Sequence, residues 1–238
     1  MIADSLPAGL EWRGFTPPLK LADFSLAAFD MDSTLINIEC IDEIAEAAGR
    51  RAEVAAITAA AMRGEISDFK DSLRRRLALL AGVPVAALES VLEHRLRINP
   101  GVENFLQACR AAGLKTLLVS GGFSFFSEPV RARLQIDFAR ANVLEIENGR
   151  LTGRVVPQVW GDIVDGAEKR RVLLELASLM GAAPARTLAV GDGANDLPMM
   201  AAAGLSIAFH AKPAVRAQAL VAITEGGLDR ALSLFSLG

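Results

Sequence analysis

Three short apolar runs along the chain end abruptly in polar, chemistry-bearing residues. Leu26–Met31 (LAAFDM) gives way to acidic and hydroxylated positions, Leu114–Ser120 (LKTLLVS) meets Gly121 and Gly122, and Thr187–Val190 (TLAV) opens into GDGANDLPM. Runs of this length without internal polar alternation predict buried parallel strands that feed polar loops. Between them, Gly101–Gly113 and Lys169–Gly181 are rich in Ala, Leu, Glu and Arg, as expected of helices that cross back over a parallel sheet. The expected fold class is α/β with a doubly wound parallel sheet. In such sheets the ligand lies beyond the carboxyl ends of the strands, so the three polar loops should converge on one site.

The stretch from about Glu39 to Asn99 shows no strand pattern but repeated helical periodicity, in IDEIAEAAG, ITAAAMRG and FKDSLRRRLALLAG. It predicts an inserted helical cap over 39–99, with the catalytic core formed by 26–38 and 100–238. A smaller excursion, NVLEIENGRLTGRVVPQV, alternates around Asn148-Gly149 and predicts a β-hairpin with a two-residue turn. Residues 1–25 read as a polar leader with no assigned role, too short to fold alone, so no separate regulatory domain is expected ahead of the core.

Composition narrows the partners. A net charge of −3 and a pI near 5.5 offer no basic face for nucleic acid, so the expected partner is a small molecule. The N-terminus lacks the cationic start and unbroken apolar run of a secretion signal, and no stretch reaches the length of a membrane span. Cys40 and Cys109 are too few for a disulfide framework, and a cytoplasmic location is expected.

The chemistry begins with FDMDST. Asp30 and Asp32 are two residues apart at a strand end, where alternation would point both carboxylates to one side. Their repulsion is tolerated beside a divalent cation, and hard oxygen donors suit Mg²⁺, although a solvated loop or a calcium site fits a lone Asp-x-Asp equally. VSGGFS brings the Ser120 hydroxyl and the Gly121 N–H, the kind of group that cradles a phosphoryl oxygen, or forms a plain turn. GDGANDLPM brings Asp192, Asn195 and Asp196, further oxygen donors or an Asx-rich turn. Lys169 alone would be an ordinary surface lysine.

Taken in order, these motifs resemble the haloacid dehalogenase superfamily of phosphatases, from about Leu26 to the C-terminus. Within it, DSTLINIECIDEIAEAAG, the SLRRR run, VSGGFS and AVGDGANDLPM are similar to the phosphoserine phosphatase family. The resemblance implies hydrolysis of O-phosphoserine, the last step of phosphorylated serine biosynthesis, through an aspartyl phosphate on Asp30. It implies Asp32 as the acid and base, and Ser120, Gly121 and Lys169 as phosphoryl ligands. Mg²⁺ would be held by Asp30, the Asp32 carbonyl and Asp192, with Asn195 and Asp196 behind them. It further implies Glu39 for the substrate ammonium, Arg76 for its carboxylate, and Met62 and Phe69 as apolar pocket walls. Other readings of the residues stay open: Arg74–Arg76 as a solvated helix face, Glu39 as a helix-start acid, Met62 as core. Rivals for the whole are a receiver-type phosphoacceptor, which would not need a helical cap of about sixty residues, and a phosphatase or phosphotransferase for another monoester such as phosphohomoserine or a sugar phosphate.

Overall fold

The computed structural model describes residues 7–161 and 163–236; the side chain of Met62 lies outside the described set. In chain order, β1 (Leu10–Trp12), β2 (Leu19–Lys20) and β3 (Leu26–Phe29) precede four helices, α1 (Cys40–Ala47), α2 (Arg51–Met62), α3 (Phe69–Ala78) and α4 (Val85–His94). The chain continues through α5 (Val102–Ala111), β4 (Lys115–Phe123), α6 (Ser124–Leu134), β5 (Phe138–Asn142), β6 (Leu144–Glu147) and β7 (Arg150–Val155). It closes with α7 (Gly166–Leu179), β8 (Thr187–Gly191), α8 (Leu197–Ala202), β9 (Leu205–Phe209), α9 (Pro213–Arg216), β10 (Val221–Ile223) and β11 (Phe235–Ser236).

β3 shows why the first apolar run carries no polar alternation: both of its faces are buried. Leu26 and Ala28 join one core with Val172 and Leu173 of α7 and Met199 of α8, while Ala27 and Phe29 join the other with Phe105 and Leu106 of α5 and Phe126 of α6. Helices therefore cover both sides of the sheet, the doubly wound arrangement. The sheet order is β1-β10-β9-β8-β3-β4-β5. β3 pairs in parallel with β4 on one side and β8 on the other, and the chain steps outward from it in both directions. The carboxyl end of β3 is thus the topological switch point, where open α/β sheets place their ligands.

One edge departs from the sequence reading. Within the leader, β1 adds antiparallel to β10 (Leu10↔Ile223), and β2 pairs with β11 at the far end of the chain. Strands of three and two residues are too short to show a period, and their partners lie some two hundred residues away, so no local pattern revealed them.

Helices α1–α4 form the segment between β3 and α5. The hairpin β6–β7 turns at Asn148 (φ 50°) and Gly149 (φ 71°), the doubly positive backbone of a two-residue turn. It docks on the α3–α4 connection, where the Gly82 N–H donates to Leu151 O at 2.8 Å and the Leu151 N–H to Val83 O at 2.9 Å. Among the described residues, no helix is long and apolar enough to cross a membrane.

Candidate active site

Asp30 extends β3 by one hydrogen bond, its N–H donating to Val190 O of β8 at 3.0 Å. The chain then leaves the sheet. Met31–Leu35 coil into a wide helical turn broken at Asp32 (φ −63°, ψ 134°) and Ser33 (φ 57°). Strand alternation is therefore not what aims Asp30 and Asp32, because the strand stops at Phe29; the expectation is corrected on that point. The turn is held by Asn99, whose Nδ2 donates to Thr34 O and Ile36 O, each at 2.9 Å. Asp32 is fixed separately by Cys40, whose N–H donates to Oδ2 at 3.2 Å and whose thiol donates to Oδ1 at 3.1 Å.

Lys169 is not a surface lysine. α7 is capped by Asp165, which accepts from the Glu168 N–H at 2.8 Å, and one residue later Lys169 turns inward and is fully buried. Its Nζ donates to Asp30 Oδ1 at 2.5 Å and to Asp196 Oδ1 at 2.6 Å. The other oxygen of Asp196 accepts from the N–H groups of Asp192 (3.1 Å) and Gly193 (3.0 Å), so Asp196 braces both the lysine and its own loop. Thr34 holds Asp192 by donating to Oδ1 at 2.9 Å. Asp30, and Asp192 and Asp196 from a loop about 160 residues further along the chain, each bring a carboxylate oxygen within 4.8 Å of the others.

The electrostatics follow from one lysine among several buried acids. Burial and Asp196 push Asp30 well above its ordinary value despite the pull of Lys169. Burial and then Asp196 push Asp192 up to about 7. Asp32 is likewise lifted to about 7 by burial and then Glu39, against the hydrogen bonds from Cys40. Lys169 rises although burial alone would lower it, because Asp196 and Asp30 outweigh that cost. A buried set of hard oxygens short of positive charge is what a divalent cation fits.

The second loop also differs in detail. β4 does not end at Ser120 but runs to Phe123, with an irregular register against β5 between Val119 and Phe123. Such a bulge re-aims backbone groups at a sheet end. Ser120 is buried, and its Oγ accepts from the Gly122 N–H at 2.8 Å. Gly122 leaves little room for a side chain: a Cβ there would stand 3.0 Å from Ser120 Oγ and 3.1 Å from Asp32 Oδ2, so both would have to give way by a few tenths of an ångström. Asn195 is half-buried in the turn that carries Asp196.

The helical segment reaches over these loops from α1 and α3. Glu39 stands at the start of α1 with the Ser33 hydroxyl donating to Oε1 at 2.6 Å. In the SLRRR run, Arg74 and Arg75 are exposed and Arg75 pairs with Asp71 at 2.8 Å, but Arg76 is turned inward. Burial lowers the Arg76 guanidinium from its ordinary value, and the nearby Asp42, Glu39 and Asp32 oppose the shift. The Phe69 ring lies over the second loop, its Cζ 3.1 Å from where a Gly121 Cβ would be. Met62 closes α2, and its side chain lies outside the described residues. Lys70 pairs with Asp165 at 3.6 Å, tying α3 to the cap of α7.

Sequence reasoning passed over Thr34, Asn99 and Asn142. Thr34 lay within the FDMDST motif and Asn99 beside a proline, but nothing local says which carboxylate or carbonyl they reach. Asn142 ends the strand FARAN, where Arg140 is also polar, and its sequence surroundings give no signal of a role.

The model of the haloacid dehalogenase-like hydrolase family matches residues 27–201. A phosphoserine phosphatase of Polaromonas sp. (strain JS666 / ATCC BAA-500) is 66% identical over 226 residues, covering 95% of this chain and 96% of its own. Among solved structures, a HAD-family hydrolase of Salmonella enterica serovar Typhi superposes with a TM-score of 0.84 at 39% identity, covering 92% of this chain and 73% of its own. A phosphoserine phosphatase with a phospho-aspartyl intermediate analogue superposes with a TM-score of 0.82 at 38% identity, covering 90% and 99%. The match takes in the site from Asp30 to Asp196 and the helical segment between its strands, so the chain belongs to the haloacid dehalogenase-like hydrolases, in their phosphoserine phosphatase family.

Proposed function

We propose that the protein is a Mg²⁺-dependent phosphoserine phosphatase that forms an aspartyl phosphate on Asp30 and hydrolyses it. The single observation that supports this most is the buried Lys169 ammonium shared between Asp30 and Asp196 within a cluster of acids at the switch point. Asp30 attacks the phosphorus, and the covalent intermediate divides one difficult displacement into two easier ones. Asp32, protonated, gives its proton to the departing seryl oxygen; as a carboxylate it then takes a proton from the water that hydrolyses the acyl phosphate. A value of about 7 makes both forms accessible near neutrality. The Ser120 hydroxyl, the Gly121 N–H and Lys169 hold the transferring phosphoryl oxygens. Asp30, the Asp32 carbonyl and Asp192 would hold Mg²⁺, with Asn195 and Asp196 behind them; when bound it neutralises phosphoryl charge.

Residues 39–99 serve as the cap over a core of 26–38 and 100–238. Arg76 takes the substrate carboxylate through its planar fork, Glu39 takes the ammonium, and Phe69 and Met62 wall off water. The two buried thiols, Cys40 and Cys109, support a cytoplasmic setting. Phosphate release from phosphoserine, phosphoethanolamine and a sugar phosphate, with Mg²⁺ or EDTA, tests the assignment; a preference for the sugar, or full activity in EDTA, would refute it. In the same assay Arg76→Ala is expected to lower kcat/KM for phosphoserine about a hundredfold, and that for phosphoethanolamine, which has no carboxylate, less than about threefold. Equal losses on both substrates would remove Arg76 from carboxylate recognition.

Metal and proton compete at Asp192, a carboxylate that would hold Mg²⁺ and that is lifted to about 7. In the metal-free folded protein Asp32 and Asp192, each near 7, hold protons that ordinary carboxylates in the unfolded chain release near pH 4. These groups therefore erode stability as pH rises from about 4 to about 7, on the order of a few kcal/mol together. The gain in Tm from a fixed Mg²⁺ concentration over EDTA should be larger at about pH 8 than at about pH 5.5. Equal gains would contradict the binding of Mg²⁺ at the Asp192 carboxylate.

A further inference from the structure

Asn142 closes β5 and is completely buried. Its side-chain amide makes two hydrogen bonds, both to backbone: Nδ2 donates to Gly121 O at 2.7 Å, and Oδ1 accepts from the Val164 N–H at 2.8 Å. An amide taken out of water is costly unless satisfied, and asparagine is disfavoured in strands, so the position calls for a reason beyond packing. Its two partners belong to different segments. Gly121 lies in the irregular last stretch of the ladder within β4, and Val164 lies just ahead of α7, five residues before Lys169.

We infer that Asn142 is a positioning residue for phosphoryl transfer, a clamp that fixes the Gly121–Gly122 peptide plane and sets it against the segment leading to Lys169. The inference rests on the proposed phosphatase reading for the meaning of that stretch. The Gly121 carbonyl and the Gly122 N–H share one rigid plane. Asn142 holds the carbonyl end, and Ser120 Oγ holds the N–H end at 2.8 Å. Because that N–H occupies a lone pair of Ser120 Oγ, the hydroxyl keeps its own hydrogen for a phosphoryl oxygen. Without the clamp the plane is free to rotate, which takes the N–H from Ser120 and loosens the geometry that the transition state needs. Asn142 touches neither substrate nor metal; it acts through Gly121 and Ser120.

Asn142→Asp keeps the shape and the bond from Val164 but sets a carboxylate oxygen against the Gly121 carbonyl. Its affinity for orthovanadate, measured by calorimetry in Mg²⁺ without turnover, should fall about tenfold. Its kcat for phosphoserine should fall about tenfold while KM stays within about threefold, since an interaction fixed for the transition state has been lost. Combined with Ser120→Ala, it should cost less than a further factor of about two, because the two act as one unit. Asn142→Ala, which leaves room for water to satisfy both backbone groups, is the second variant should the first not fold, and the same pattern is expected of it. Vanadate affinity and kcat within about twofold of the parent, or losses that multiply with Ser120→Ala, would overturn the inference. Phosphate release by the parent protein reports separately on the phosphatase reading, and the vanadate measurement stands without it.

Discussion

Asp30→Asn is expected to reduce phosphoserine turnover by roughly four orders of magnitude or more while leaving the protein as stable as its parent, or more so. The carboxylate is the attacking group, and an amide is a far poorer nucleophile towards phosphorus. The same carboxylate is a liability to the folded state, since burial and Asp196 hold it well above its ordinary value. Removing its charge relieves repulsion, and Lys169 keeps Asp196 as a partner at 2.6 Å. The paired measurement is kcat with a urea unfolding midpoint in EDTA. Undiminished turnover would remove Asp30 from the chemistry, whereas a large drop in the midpoint would mean its charge is structural.

Lys169→Met should fail in both respects. The ammonium has no exposure to solvent and is the shared partner of Asp30 and Asp196. Truncating it leaves two buried carboxylates facing each other without compensation, a loss of about 3–5 kcal/mol that the urea midpoint in EDTA would register. Turnover should fall by about three orders of magnitude, because a fixed cation at the transferring phosphoryl is lost as well. A variant with an unchanged midpoint would show that the acids are neutral in the metal-free protein and need no counter-charge. The contrast between the two variants, one silent in stability and one not, separates charge balance from nucleophilicity.

Much of this site could be read from the chain because its parts sit where a pattern breaks. Asp30, Ser120 and the GDGANDLPM loop each follow an apolar run, and the doubly wound topology brings such ends together without knowledge of any contact. The resemblance of the motifs supplied roles for single residues. What stayed hidden depends on tertiary partners. Lys169 lies on a helix whose local sequence, GAEKRR, reads as a solvated turn, and only the closeness of Asp30 and Asp196 explains its burial. Asn142 looks like any polar residue near a loop until Gly121 and Val164 appear on either side of it. β1 is three residues long and takes its meaning from β10, at the other end of the chain. The strand stops at Phe29, two residues short of the apolar run's end at Met31, and nothing in DMDSTL tells a wide helical turn from a plain polar loop, so alternation is the wrong rule for aiming Asp30 and Asp32.

Every step of the proposed turnover passes the phosphoryl group through Asp30. Mixing the protein with phosphoserine and Mg²⁺, quenching in acid within a few milliseconds and mapping the phosphate by peptide mass spectrometry tests it most directly. The expected result is an acid-stable, base-labile phosphate on Asp30 that is absent from Asp30→Asn. Phosphate found on Ser120 or another side chain, or rapid turnover with no phosphorylated protein at any quench time and in any variant slowed at Asp32, would contradict it.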